Sequence, residues 1–246
     1  MQMRVRSLFL PCLPFCLLVA GPVTPSSRQN GAGPIPLTRV TGGAPAPSLA
    51  FLTCLGAAER GDTEAQARVA SMFFLGEGVP ADVREAVAWY LRAAAGGDAK
   101  SMMILGMMHE DGDGVSRDPD QALRYFVMAA QRGDLDAQVK LGVKYYLGEG
   151  VPRDLQEART WLQRAAVQGD AYAQGCLGLM YAVGEGVPRD PTEAYAWLTR
   201  AEAGGNRQVA QPLETLKRDL TPDQLEQGRR RAEALGAGRP AETVAR

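Results

Sequence analysis

The pattern Gly-x-Gly-Val begins at Gly76, Gly112, Gly148 and Gly184, and each copy follows the last by 36 residues. A second mark keeps the same step: Gly61-Asp62, Gly97-Asp98, Gly133-Asp134, Gly169-Asp170 and, with an amide in place of the acid, Gly205-Asn206. Two independent punctuation marks sharing one period confine the chain to a repeat architecture. A unit this short cannot bury its apolar face alone and must stack on its neighbours. The apolar positions obey the same step. Leu105-Gly106, Leu141-Gly142 and Leu177-Gly178 lie in the first half of their repeats, and Val69-Ala70 fills that place in the first copy. In the second half Ala86, Ala122, Ala158 and Ala194 correspond, as do Trp89, Tyr125, Trp161 and Trp197.

Each repeat predicts two helices, A and B, of about 13 residues, or about 20 Å at the helical rise. The Asp of each Gly-Asp pair offers its carboxylate to the free N–H groups that open helix A. Helix B begins after Asp82, Asp118, Asp154 and Asp190, followed three positions later by Glu85, Gln121, Glu157 and Glu193. That spacing predicts a capping box four times over. Pro119 and Pro191 stand at the first helical position, where a missing N–H costs nothing. The stretch "GEGVPRD", Gly148 to Asp154 and again Gly184 to Asp190, therefore reads as a joint. Gly148 ends helix A left-handed, Gly150 turns, Pro152 stiffens and Asp154 caps the next helix. A phosphate cradle would need a preceding strand and a following Lys, and neither is there.

These marks divide the chain into a half repeat at 48–60, full repeats at 61–96, 97–132, 133–168 and 169–204, a polar capping helix pair at 205–235 and a frayed tail at 236–246. Residues 21–47 are rich in Pro, Gly, Ser and Thr without an apolar period, the composition of a linker. Residues 1–20 join Arg4 and Arg6 to an apolar run of 13 residues, Leu8 to Ala20, broken by Pro11 and Pro14. A spanning helix needs about 20 apolar residues, so this segment reads as a cleaved secretory signal and places the mature chain in the periplasm or outside the cell. Lys plus Arg number 27 against 28 Asp plus Glu. Such a balance carries no electrostatic footprint for nucleic acid or for an anionic membrane surface.

The combination Gly-Asp-x-x-Ala, Leu-Gly-x-x-Tyr-x-x-Gly-x-Gly-Val-x-x-Asp and Ala-x-x-Trp-x-x-x-Ala-Ala, clearest between Ala137 and Asp170, resembles the Sel-1-like repeat family, a relative of the tetratricopeptide repeats. The resemblance implies an all-α fold, a right-handed α-solenoid of helix-turn-helix repeats that binds other proteins, with no catalytic residue and no cofactor. For exported members it implies an adaptor or regulator of the envelope; the alternatives are an envelope enzyme acting on cell-wall or glycan material, of β-lactamase-like or hydrolase type, and a polysaccharide-export scaffold. By analogy with tetratricopeptide stacks helix A lines a concave face. The candidate binding residues there are Phe74, Met107, Glu110, Val143, Tyr146, Tyr172 and Leu179, an apolar-aromatic groove with a charged edge suited to a peptide or protein segment. The expected state is a monomer.

Other chemistry is weak. "EDGDGVSRD" opens like a calcium loop at Asp111 and Asp113 but puts Val115 where the next ligand belongs, so no metal is expected. A single histidine, His109, supports neither a zinc site nor a Ser-His-Asp triad and stands in a slot that is Phe73, Tyr145 or Tyr181 elsewhere. Cys54 and Cys176 lie more than three repeats apart, too far for a disulfide in a stack of helices about 8–10 Å from axis to axis. Cys54 reads as a buried small hydrophobe and Cys176 as a partly exposed one.

Overall fold

The computed structural model describes residues 46–237. The segment read as a secretory signal, the stretch read as a linker up to residue 45 and the tail from residue 238 lie outside the described residues. Every regular element among the described residues is helical. The order is α1 (Leu49–Glu59), α2 (Thr63–Leu75), α3 (Val83–Ala95), α4 (Ala99–Asp111), α5 (Pro119–Gln131), α6 (Leu135–Leu147), α7 (Leu155–Gln168), α8 (Ala171–Val183) and α9 (Pro191–Ala203). A 3₁₀ turn (Arg207–Val209), α10 (Ala210–Asp219) and α11 (Pro222–Ala237) complete it. The chain divides into two compact units between Asp134 and Leu135. In the first, α2 packs on α1 and α3, and α4 on α3 and α5. In the second, α7 packs on α6 and α8, and α9 joins α8 to α10 and α11.

The joints use the residues that recur. Gly76, Gly112, Gly148 and Gly184 end their helices at φ of 74°, 81°, 77° and 80°, a left-handed conformation that costs glycine little. The side chains of Asp82, Asp118, Asp154 and Asp190 accept from the N–H groups opening α3, α5, α7 and α9. The second half of the expected capping box does not form. The N–H of each of these aspartates donates to the carbonyl of the aromatic-slot residue of the preceding helix: Asp82 to Phe73 at 2.9 Å, Asp118 to His109 at 2.8 Å, Asp154 to Tyr145 at 2.9 Å and Asp190 to Tyr181 at 3.0 Å. With that donor satisfied, the Glu or Gln three positions on is released. Glu193 instead accepts from the Trp197 indole at 2.9 Å and from Arg231 of α11 at 2.8 and 3.1 Å. A closed reciprocal box occurs at α11, where Thr221 N–H donates to Gln224 Oε1 at 3.0 Å and Gln224 N–H to Thr221 Oγ1 at 3.3 Å.

The glycine of the Leu-Gly pair sets how closely helix A meets helix B. A Cβ on Gly106 would lie 2.5 Å from the Phe126 ring, one on Gly142 2.6 Å from Leu162 Cγ, and one on Gly178 2.7 Å from Leu198 Cγ. A large side chain from helix B thus rests on the bare backbone of helix A. At the end of the second unit Gly228 repeats the device, since a Cβ there would lie 2.5 Å from Tyr195 Cδ1. That contact seats α11 on α9. The helix continues through Gly236 and Ala237, two residues into the stretch read as a frayed tail, with Leu235 packed against the cluster that contains Trp197.

Candidate functional site

An arginine that recurs at the joints positions the C-terminal end of helix A. Arg117, Arg153 and Arg189 donate through Nε to the carbonyls of Glu110, Tyr146 and Ala182 at 3.0, 2.9 and 3.1 Å. These carbonyls belong to the last turn of a helix, where the intrahelical partner is missing. The first repeat has Ala81 in this place and lacks the staple. Spacing alone, 36 residues between copies, could have singled these arginines out; what the spacing does not carry is the identity of their acceptors.

In the first unit Phe74 is 37% exposed and Met107 38%, so both present apolar surface to solvent. Glu110 is half-buried and its carbonyl is held by Arg117. His109 stacks on Tyr125 with ring centroids 5.6 Å apart and planes 17° from parallel, an aromatic packing role. Ser71 and Tyr90 share a hydrogen bond of 3.1 Å, and burial pushes the Tyr90 phenol up from its ordinary pKa.

In the second unit Tyr146 is committed to a partner inside the chain. Its hydroxyl donates to the Glu185 carboxylate in the next joint, and the Arg153 guanidinium lies 5.6 Å from its ring centre and 3.8 Å from the same carboxylate. Burial, then the bond to Glu185 and its charge, push the Tyr146 phenol well above the usual range, so it remains a donor through neutral and mildly alkaline pH. Tyr146 and Tyr172 are half-buried and pack against one cluster with Leu177 and Met180 at its centre, and Val143 is half-buried. Leu179 departs from the expected groove: it is 7% exposed and lies in the core with Leu198, Leu213 and Leu216. The helix pair that follows α9 brings Leu213 and Leu216 over this position, so it serves packing. Cys176 is also buried rather than partly exposed, among Leu162, Leu177 and Trp197. Cys54, expected to be buried, is half-exposed with its thiol 3.6 Å from the Ala65 carbonyl, and burial of the sulfur raises its pKa.

Among the described residues no group of three or more His, Cys, Asp or Glu side chains could hold a metal ion, and no helix is long and apolar enough to cross a membrane. The helix-A residues singled out by the sequence differ in exposure between the units. Phe74 and Met107 are open in the first, whereas in the second Tyr146 is tied to Glu185 and Tyr172 is half-buried.

The family model described as Sel1 repeat matches four consecutive blocks, residues 63–98, 99–134, 135–170 and 171–206. A crystal structure of a Sel1 repeat protein from Oxalobacter formigenes is 38% identical over 68% of this chain and 48% of that one, with a TM-score of 0.66. The crystal structure of c5321, a protective antigen present in uropathogenic Escherichia coli strains and displaying an SLR fold, is 31% identical over 77% of this chain and 41% of that one, with a TM-score of 0.65. The chain thus spans less than half the length of either solved relative. No curated protein matches it.

Proposed function

The chain belongs to the Sel1 repeat family, an all-α solenoid fold that serves as a scaffold for protein interaction, and from that premise we propose that it is an exported envelope adaptor or regulator. It holds a peptide or protein segment against the helix-A faces of its repeats. The observation that carries this reading is the division of labour within each repeat. The recurring Gly, Asp and Arg residues are spent on the joints through glycine conformation, helix caps and carbonyl staples. Helix-A positions that vary from repeat to repeat include Phe74 and Met107, which are open to solvent. Large exposed apolar side chains of this kind are what binding surfaces present.

Export is supported by the basic and apolar composition of residues 1–20 and by likeness to a solved protein that is a protective antigen. Mass spectrometry of the N-terminus of the chain recovered from the envelope fraction tests it, and an intact Met1 in a cytoplasmic pool overturns it. Affinity capture from the same fraction tests binding. Phe74→Ala combined with Met107→Ala is expected to keep the helical circular dichroism of the parent and to lose its captured partner at least tenfold. Unchanged capture would remove the helix-A face from consideration. Leu179 is unsuited to this test because its truncation would leave a cavity in the core.

A further inference from the structure

We propose that the helix-A face of the first unit receives a segment that carries an arginine or lysine beside apolar side chains, its cation held between Phe74 and Asp113. This rests on the reading of that face as the binding surface and names the chemistry of what it takes. The starting point is a clasp in the second unit. There the Tyr146 hydroxyl donates to Glu185, and the Arg153 guanidinium lies 3.8 Å from the same carboxylate and 5.6 Å from the Tyr146 ring centre. The acid of one joint is thus answered by a phenol and a cation from the repeat before it.

Two periods earlier, within the first unit, the same three positions are Phe74, Ala81 and Asp113. The backbone around them is arranged alike. Asp113 N–H donates to the Met108 carbonyl at 3.0 Å, as Glu185 N–H does to Met180 at 3.1 Å. The glycine that follows rests on the start of the preceding helix B in both units: a Cβ on Gly114 would lie 2.4 Å from Val83 Cγ1, and one on Gly186 2.8 Å from Leu155 Cβ. Val83 and Leu155 are themselves two periods apart. At the helix end, a Cβ on Gly76 would lie 3.3 Å from Ala81 Cβ, and one on Gly148 3.2 Å from Arg153 Cβ, so the Ala81 methyl stands where the arginine side chain begins. The geometry is shared and the chemistry is not. Phe74 has no hydroxyl to donate, Ala81 has no guanidinium, and the carboxylate remains.

Charge then selects the occupant. Among the described residues Asp113, Asp111 and Glu77 take part in no ion pair. With the capping aspartates set aside, residues 74–82 and 110–118 hold Glu77, Glu110, Asp111 and Asp113 against Arg117 alone, whose Nε is bound to the Glu110 carbonyl. In residues 146–154 and 182–190 Glu149 and Glu185 are matched by Arg153 and Arg189. The helix ends of the first unit also expose apolar surface, with Leu75 61% open beside Phe74 at 37%, and Met107 at 38%. A cation over the Phe74 ring and against Asp113 gains a cation–π contact and a charge-assisted hydrogen bond. An acidic or wholly apolar segment would cover Asp113 without a partner, which is costly.

The test is the fluorescence anisotropy of a labelled synthetic peptide of Leu, Arg and Gly, titrated with the full chain to about 100 µM so that weak association is seen. The same peptide with Glu in place of each Arg is titrated beside it. Saturable binding of the arginine peptide is expected, at least tenfold tighter than that of the glutamate peptide and weakened by about 0.5 M salt. Ala81→Arg gives the first joint the residue that the other three carry there. It is expected to keep the helical circular dichroism and to lower that affinity at least tenfold, because the chain then answers Asp113 from within. Asp113→Gln, close in shape to the Glu of the other joints, is expected to do the same and serves if Ala81→Arg misfolds. Absent binding, equal binding of the two peptides, or arginine-peptide binding unchanged in both variants overturns the proposal. The wider reading is separable: if Phe74→Ala with Met107→Ala loses the captured partner while Asp113→Gln retains it, the face stands and the cation is rejected.

Discussion

Glycine at two kinds of position does different physical work in this chain. At Gly178 the absence of a side chain is needed for packing: an added Cβ would sit 2.7 and 2.8 Å from Leu198 side-chain atoms and 3.1 Å from its backbone nitrogen. Leu198 is fully buried and has nowhere to retreat. Gly178→Ala is therefore expected to destabilise by about 1–2 kcal/mol, since overpacking outweighs the gain in helix propensity. At Gly56 on α1 the nearest atom to an added Cβ is a mobile Arg60 terminus at 3.6 Å, so Gly56→Ala is expected to stabilise by up to about 1 kcal/mol. Urea unfolding midpoints of the two variants check the pair, and equal shifts in the same direction would refute the distinction. The role of the Leu-Gly glycine was visible in the sequence only as a recurrence. Its cause lies in a residue 20 positions further on, in the facing helix.

At the scale of the element, helix boundaries follow from local chemistry, yet the wiring of the cap does not. The sequence spacing of Asp154 and Glu157 signals a capping box, and the carboxylate of Asp154 does accept from the N–H groups of Gln156 and Glu157 at 2.9 and 3.1 Å. The reciprocal bond is pre-empted because the Asp154 N–H already donates to Tyr145, so the loop closes on helix A rather than on Glu157. Asp154→Ala is accordingly expected to cost about 1 kcal/mol, and Glu157→Ala less than half of that, leaving only the interaction of its charge with the helix end. Thermal unfolding of both variants measures the ratio. Equal losses would mean that Glu157 closes the box in solution.

For the whole molecule the consequences depend on nearest neighbours, because each helix in a repeat array touches only those beside it. In the second unit α11 is docked on α9 through Gly228 against Tyr195 and through Arg231 on Glu193. Ending the chain after Leu220 is expected to speed amide exchange in α9 and α8 while α6 changes little, since the lost contacts lie on α9 and opening free energies fall locally. Hydrogen exchange read by mass spectrometry resolves this, and uniform acceleration across the second unit would show that it unfolds as one block. The division into two compact units at Asp134 was not legible in the sequence, whose period passes through that point without interruption.

The sequence by itself determined the period, the helix pairs, the left-handed glycines and the capping aspartates, because each depends on interactions within a few residues along the chain and is written four times over. It also carried the family, through motifs that mark both joints and both helix faces. Which side chains remain available for a partner was decided by tertiary structure. Tyr146 looked like a groove residue until Glu185, a full repeat away, took its hydroxyl. Leu179 and Cys176 had positions that recur, but their burial is set by Leu213, Leu216 and Trp197, which arrive from helices that only folding brings near. Likewise, α1 reads as one more helix B, yet Ala50, Cys54 and Ala57, whose counterparts one period on are buried, line an open groove beside α2. Exposure is a property of what lies opposite, and in a stacked chain that neighbour stands about one period away.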